Sequence, residues 1–281
     1  MKIIECPRDA MQGLHDFIPT TEKARYLNAL LQVGFDTLDF GSFVSPKAIP
    51  QMRDTAEVLG QLDLENTATK LLAIVANKRG ALSAASFPEV DVLGYPFSIS
   101  ETFQLRNTNA TIEDSLERVK VIQDICLQHN KTLLIYISMG FGNPYGDYWN
   151  VDVVQKWVAQ LAKLGITIFQ LSDTIGVAEP ANIEYLFKEL IVANPTIEIG
   201  AHFHTTPDTW EEKIVTAYDN GCRRFDGTIR GFGGCPMAQN HLVGNMPSEN
   251  LVAFAQEKNI NTGLDLGSYF EAMKIAGQIL K

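Results

Sequence analysis

Residues 132–139 (TLLIYISM), then 152–164 (DVVQKWVAQLAKL), then Gly165 and 166–172 (ITIFQLS) read as strand, helix, turn and strand. The two outer runs are short, apolar and rich in β-branched residues, as expected of strands covered on both faces. Gly165 stands where a helix can end on a left-handed residue. A strand, a helix and a second strand in this order form a parallel βαβ unit.

The same alternation extends in both directions. Strands are predicted at 2–6, 37–42, 69–76, 90–97, 132–139, 166–172, 197–204 and 223–229. Helical patterns lie at 21–33, started by Thr20 or Thr21 and ended by Gly34, and at 209–220, ended by Gly221. In 112–129 the residues Ile112, Leu116, Val119, Ile122 and Ile125 fall on one helical face, and a last helix is predicted at 266–280. Eight strand–helix repeats favour a closed (β/α)8 TIM barrel, a single α/β domain over 1–281, rather than an open doubly wound sheet. Neither GxGxxG nor GxxxxGK[ST] stands at a strand–helix junction, which weakens a nucleotide-binding open sheet further.

Composition narrows the classes. The chain has 281 residues, 46% of them hydrophobic, which rules out disorder. Its 23 basic and 33 acidic residues give a net charge of −10, without the basic stripe a nucleic-acid partner requires. No run approaches the ~20 apolar residues of a membrane span. Cys6, Cys126, Cys222 and Cys235 are scattered and form no CxxC pair, so reduced thiols are expected. A strand-like run begins at Lys2, so no leader is expected and the cytoplasm is the expected compartment.

Three local patterns could carry chemistry. His202 and His204 flank Phe203 at the end of the seventh predicted strand, and residues two apart project from the same face. Both imidazoles could then bind one cation, although an HxH pair also arises with one ring packed and the other solvated. Arg8 and Asp9 follow the first strand, where a guanidinium can serve an oxyanion and a carboxylate a cation; a surface ion pair is the alternative. In a closed barrel, strands 1 and 7 both flank strand 8, so Asp9, His202 and His204 are expected to converge. Gly231-Phe232-Gly233-Gly234-Cys235-Pro236 follows the last strand and can bring a thiol close to a ligand, or be a plain glycine turn. Asn245 offers a hard amide oxygen ten residues beyond Cys235. Two imidazoles with carboxylate and amide oxygens suit Mg²⁺ or Mn²⁺ better than structural zinc.

Taken together with Pro7-Arg8-Asp9, Gln12, Ser42-Phe43-Val44-Ser45-Pro46-Lys47, Pro50-Gln51-Met52, Ser100-Glu101, Asn107 and Ser172-Asp173-Thr174-Ile175-Gly176-Val177, the chain resembles the 3-hydroxy-3-methylglutaryl-CoA lyase family nearly end to end. The resemblance implies a metal quartet of Asp9, His202, His204 and Asn245, an enolate-stabilising Arg8 and a proton-exchanging loop thiol at Cys235. It puts Gln12 and Asp173 near the active site and leaves the base open between Asp173 and a water held by the cation. It further implies an acyl-CoA substrate, Mg²⁺ or Mn²⁺, cleavage to acetoacetate and acetyl-CoA, and a homodimer.

Four positions depart from the family pattern. Asp39 replaces a longer Glu on the second strand, Thr205 replaces an Asp after the HxH, Asn143 stands where a second cysteine often sits, and the stretch between Cys235 and Asn245 is one residue longer and carries His241. None removes an implied metal ligand. The rival readings are a lyase or aldolase for another 3-hydroxyacyl-CoA or a 2-oxo acid, a synthase of the same superfamily, and a silent acyl-CoA-binding barrel. A synthase is disfavoured because such enzymes commonly carry a further C-terminal region. Lys47, Lys78, Arg79 and Arg106 are candidates for CoA phosphates, with plain solvation as the alternative.

Overall fold

A computed structural model describes residues 1–234 and 243–280. Eight parallel strands close on themselves: β1 (Lys2–Glu5), β2 (Thr37–Ser42), β3 (Lys70–Ile74), β4 (Val92–Ser98), β5 (Thr132–Ser138), β6 (Ile168–Asp173), β7 (Glu198–Thr205) and β8 (Arg224–Gly227). Each pairs with the next, and β8 pairs with β1, so the expected (β/α)8 TIM barrel is the observed fold. All eight lie within the predicted runs, apart from one-residue extensions of β4, β6 and β7. A ninth strand was not legible: β9 (Gly244–Asn245) pairs antiparallel with the end of β7, setting Asn245 opposite His204.

Around the barrel run α1 (Pro7–Gln12), α2 (Thr20–Leu31), α3 (Thr55–Leu59), α4 (Lys78–Ala85), α5 (Glu101–Thr108) and α6 (Ile112–Gln128). They are followed by α7 (Val151–Ala162), α8 (Pro180–Ala193), α9 (Trp210–Asp219), α10 (Ser248–Glu257) and α11 (Leu266–Ile279). Gly165 and Gly221, with φ of +83° and +96°, end the α7 and α9 turns in the left-handed region as their sequence positions suggested. The start of α2 differs from expectation. Pro19 precedes the helix without a side-chain cap, and the Thr20 hydroxyl instead donates to Asp54 Oδ2 at 2.8 Å. Among the described residues, no helix is long and apolar enough to cross a membrane.

Strand alternation divides the core. Side chains such as Ile3, Leu38, Leu71 and Phe169 point outward into the main apolar layer beneath the helices. Leu72, Val92, Leu134 and Tyr136 form a small separate cluster inside the barrel. Much of the rest of the interior is polar: Arg224 pairs with Asp36 at 3.0 Å near the base, Gln170 donates to Asp226 midway, and Arg8 pairs with Asp39 near the mouth. Buried polar groups in such numbers hold only when paired.

Outside the barrel, Glu5 ends β1 fully buried, accepting the Ile229 N–H at 2.8 Å and the Ser248 hydroxyl. Burial outweighs both bonds and pushes its carboxyl up to about 8. A carboxyl raised in the folded state stabilises the fold fully below its unfolded value near 4.5, and that contribution is lost as pH rises to about 8. Glu5→Gln keeps the shape without the titration. Urea unfolding of both proteins at pH 5 and pH 8.5 is expected to show the variant gaining stability relative to the parent at the higher pH. A pH-independent difference contradicts the buried protonated carboxyl.

Candidate metal centre and active site at the barrel mouth

A cavity of about 460 Å³ opens at the carboxyl ends of the strands, where active sites of this fold lie. Its wall includes Arg8, Asp9, Gln12, Ser42, Tyr136, Ser172, His202 and His204. The first two arrive because Pro7 starts α1 two residues after β1 ends, its fixed φ and missing N–H suiting a first helical turn. The turn is tight enough to present adjacent side chains to the cavity instead of losing them to a loop.

Arg8 sits between two carboxylates. Its Nε and Nη2 donate to Asp39 Oδ2 at 2.9 and 2.5 Å, and its Nη1 donates to Asp9 Oδ1 at 3.0 Å. Burial works against the guanidinium charge, but Asp39 and Asp9 overcome it and raise the pKa further. Burial likewise pushes Asp39 up to about 6 against the pull of Arg8, which still leaves it ionised at neutral pH. Asp39 comes from the inward face of β2, beside the irregularity in its pairing with β3, and lies behind the cavity wall. Its shorter side chain therefore reaches Arg8 fully.

Asp9 accepts from three sides. Gln12 Nε2 donates to its Oδ1 at 2.6 Å and Asn245 Nδ2 to its Oδ2 at 2.7 Å, in addition to Arg8. Burial raises its carboxyl, yet Arg8, both imidazoles and the Asn245 amide hold it below the ordinary carboxylate range. The anion persists at neutral pH, as a metal ligand requires.

The two histidines share the inward face of β7, so both rings enter the mouth, their centroids 5.4 Å apart. His202 Nδ1 lies 2.9 Å from Asp226 Oδ2, and His204 Nδ1 donates to the Thr174 carbonyl at 2.8 Å. Fixing Nδ1 frees Nε2 of each ring for another partner, the arrangement of metal-bound imidazoles. Burial, then the neighbouring His202, lowers His204 to about 4, so that ring is neutral at pH 7. For His202 burial acts downward too, but Asp226 and Asp9 leave it raised.

One ligand atom each from Asp9, His202 and His204 lies within 4.8 Å of the others. Asn245 Nδ2 also donates to the Phe232 carbonyl at 2.9 Å, while its Oδ1 is buried and, among the described residues, has no hydrogen-bond partner. An orphaned buried amide oxygen is costly unless a further group meets it. Two imidazoles, a carboxylate and that amide oxygen are donors that fit a divalent cation. Cys6 also groups with His202 and Asp226, but burial and three nearby carboxylates push its thiol far above the ordinary value. It stays a neutral thiol, a poor ligand.

Of the remaining sequence readings, one concerns a buried carboxylate and another lies outside the described residues. Asp173 faces away from the cavity, because Gln170 and Ser172 take the inward positions of β6. Its carboxylate accepts from Lys213 Nζ at 2.6 Å and from the Ala178 N–H at 3.0 Å. Cys235 and His241 lie outside the described residues. The glycine stretch before Cys235 does run against the site: a Cβ on Gly233, whose φ is +89°, would lie 2.5 Å from the Asp9 carbonyl. Asn143 accepts the Tyr145 and Asp147 N–H groups and shapes its loop. Of Lys47, Lys78, Arg79 and Arg106, Arg106 is on the cavity wall, with its guanidinium 4.7 Å from the Tyr145 ring.

Asp226 was missed, although Arg224 and Asp226 stand on one face of a predicted strand and so signalled a polar barrel interior. Tyr136, edge-on to His202 with centroids 5.6 Å apart, was missed as well. Replacing the Asp226 carboxylate with Asn is expected to weaken Mn²⁺ binding about 10–100-fold, by loosening the His202 ring. Electron paramagnetic titration of free Mn²⁺ measures this, and an unchanged affinity contradicts the orienting contact.

With this geometry in view, the relatives are informative. The HMGL-like family matches residues 2–275. A hydroxymethylglutaryl-CoA lyase of Bacillus subtilis is 33% identical over 268 residues, 95% of this chain and 89% of that protein. A 3-hydroxy-3-isohexenylglutaryl-CoA/hydroxymethylglutaryl-CoA lyase of Pseudomonas aeruginosa is also 33% identical, over 95% of this chain and 88% of its own length. The crystal structure of an Acinetobacter baumannii HMG-CoA lyase with coenzyme A and 3-methylmalate superposes with a TM-score of 0.90, at 30% identity, over 99% of this chain and 90% of that one. The chain belongs to the HMGL-like family, as an HMG-CoA lyase-like carbon–carbon lyase.

Proposed function

We propose that this protein cleaves 3-hydroxy-3-methylglutaryl-CoA to acetoacetate and acetyl-CoA. The observation that carries the reading is Arg8, a guanidinium fixed on the cavity wall by two carboxylates, beside the Asp9–His202–His204 cluster. Family relatives named as HMG-CoA lyases, and one solved with coenzyme A, support the substrate class.

In the reaction, a water molecule takes the proton of the 3-hydroxyl and passes it to solvent, and the hydroxyl oxygen becomes the new ketone of acetoacetate. The bond between C2 and C3 breaks, and its electron pair passes into the thioester as an enolate. Arg8 meets the enolate oxygen. Asp39 holds the guanidinium from behind, so its charge is in place before the bond breaks, as electrostatic stabilisation requires. Cys235, through the glycine stretch, delivers the proton that converts the enolate to acetyl-CoA. Gln12 fixes Asp9, and Asp173 anchors the wall from outside.

Asp9, His202, His204 and Asn245 would hold Mg²⁺ or Mn²⁺, which would supply a positive charge that lowers the pKa of the substrate hydroxyl. Arg106 and the residues that follow it on the rim face the acyl-CoA. A second reading, a lyase for a bulkier 3-hydroxy-3-alkylglutaryl-CoA, is favoured by the P. aeruginosa relative and by the apolar Val44, Ala48 and Ile49 on the cavity wall.

Acetoacetate release from 3-hydroxy-3-methylglutaryl-CoA tests the proposal. It is expected with Mg²⁺ or Mn²⁺ and abolished by EDTA; a folded, metal-binding protein that releases none overturns the substrate. Parallel assays with the isohexenyl substrate separate the two readings. Arg8→Gln is expected to unfold at a lower temperature, yet to fold and bind Mn²⁺ under assay conditions while lowering kcat by about 10²–10³. Near-normal turnover contradicts the enolate role.

A further inference from the structure

Lys213 is a charged residue on the buried face of α9, with only 1% of its surface exposed. A lone buried lysine costs several kcal/mol unless every donor is met. Here the ammonium meets three acceptors: Asp173 Oδ2 at 2.6 Å, the His204 carbonyl at 2.9 Å and the Gly176 carbonyl at 3.1 Å. An ammonium has three N–H groups, so all are used.

The identity of those acceptors is what matters. Asp173 and Gly176 bracket Thr174, whose carbonyl accepts the His204 Nδ1–H and so sets which ring nitrogen is free. The Thr174 hydroxyl in turn accepts the Met139 N–H at 2.8 Å, tying the end of β5 to the same point. The third acceptor is the main-chain carbonyl of His204 itself. One ammonium therefore holds both halves of the contact that orients the ring: the residue that bears the imidazole and the segment that supplies its acceptor. The Asp173 carboxylate alone could balance the charge; the two carbonyl bonds do something charge balance does not require.

We propose that Lys213 is a positioning residue for His204, setting the affinity of the mouth for a divalent cation from behind the cavity wall. This rests on the reading of Asp9, His202, His204 and Asn245 as the cation's ligands. Lys213 touches no ligand or reacting atom. Losing it removes the tether between the His204 carbonyl and the β6–α8 connection, and the His204 ring then samples orientations other than the one that faces Asp9.

The test titrates Mn²⁺ alone, without substrate, into the full chain by electron paramagnetic resonance, with thermal unfolding recorded alongside. Lys213→Met is expected to bind Mn²⁺ about 10–100-fold more weakly than the parent. Because it also leaves Asp173 buried without its partner, a second variant combines Lys213→Met with Asp173→Asn. That pair removes the unpaired charge and is expected to recover thermal stability, while Mn²⁺ binding stays weak because the carbonyl tethers are still missing. Parent-like Mn²⁺ affinity in either folded variant overturns the proposal. His204→Ala, run in parallel, separates the two levels. If it binds Mn²⁺ like the parent, or if the parent binds none, the ligand assignment fails and Lys213 with it. If His204→Ala binds weakly and the Lys213 variants bind normally, only the positioning role fails.

Discussion

A guanidinium buried between two carboxylates is the interaction on which the rest of the mouth depends. Arg8, 8% exposed, cannot shed its proton and cannot be taken from water without compensation. Asp39 and Asp9 supply that compensation from β2 and from α1 itself. Breaking a buried pair by removing one partner typically costs about 3–5 kcal/mol, comparable to much of a domain's net stability. The barrel therefore keeps the three groups as a unit. The same arrangement that makes the charge tolerable also aims it into the cavity.

The network propagates from there. Asp9 accepts from Gln12 and from Asn245, which also reaches the Phe232 carbonyl of the glycine stretch and is set opposite His204 by the short antiparallel strand β9. His202 is fixed by Asp226, which Gln170 fixes in turn across the barrel. Arg8, Asp9, His202 and His204 each have a partner behind them, so these groups rest on strands and buried contacts more than on loops. This is the construction that holds catalytic groups within the tolerance that chemistry demands.

Much of this was legible in the chain. The eight strands could be read because strands sheathed by helices are apolar on both faces, and barrel closure then brought Asp9 near the two histidines. The HxH pair could be read from the two-residue period alone. Three things were less accessible. The helix α1 begins at Pro7 without an apolar stripe of its own, so Arg8 and Asp9 looked like loop residues. Asp173 was placed near the site by a motif, whereas counting alternate residues along β6 turns it outward toward Lys213. Lys213 itself lies in an ordinary amphipathic helix, where a lysine on the apolar face carries no periodic signal until its partners on β6 and β7 are known. Pairings between side chains distant in sequence are what a strand pattern cannot express.

Cleavage through an enolate held by Arg8 leaves an isotopic trace in the product. Running the reaction on 3-hydroxy-3-methylglutaryl-CoA in D₂O and examining the acetyl-CoA by NMR reads it most directly. An enolate takes its proton from exchangeable groups, so one deuterium in the acetyl methyl group is the expected result. Acetyl-CoA formed without deuterium contradicts the enolate and the role assigned to Arg8.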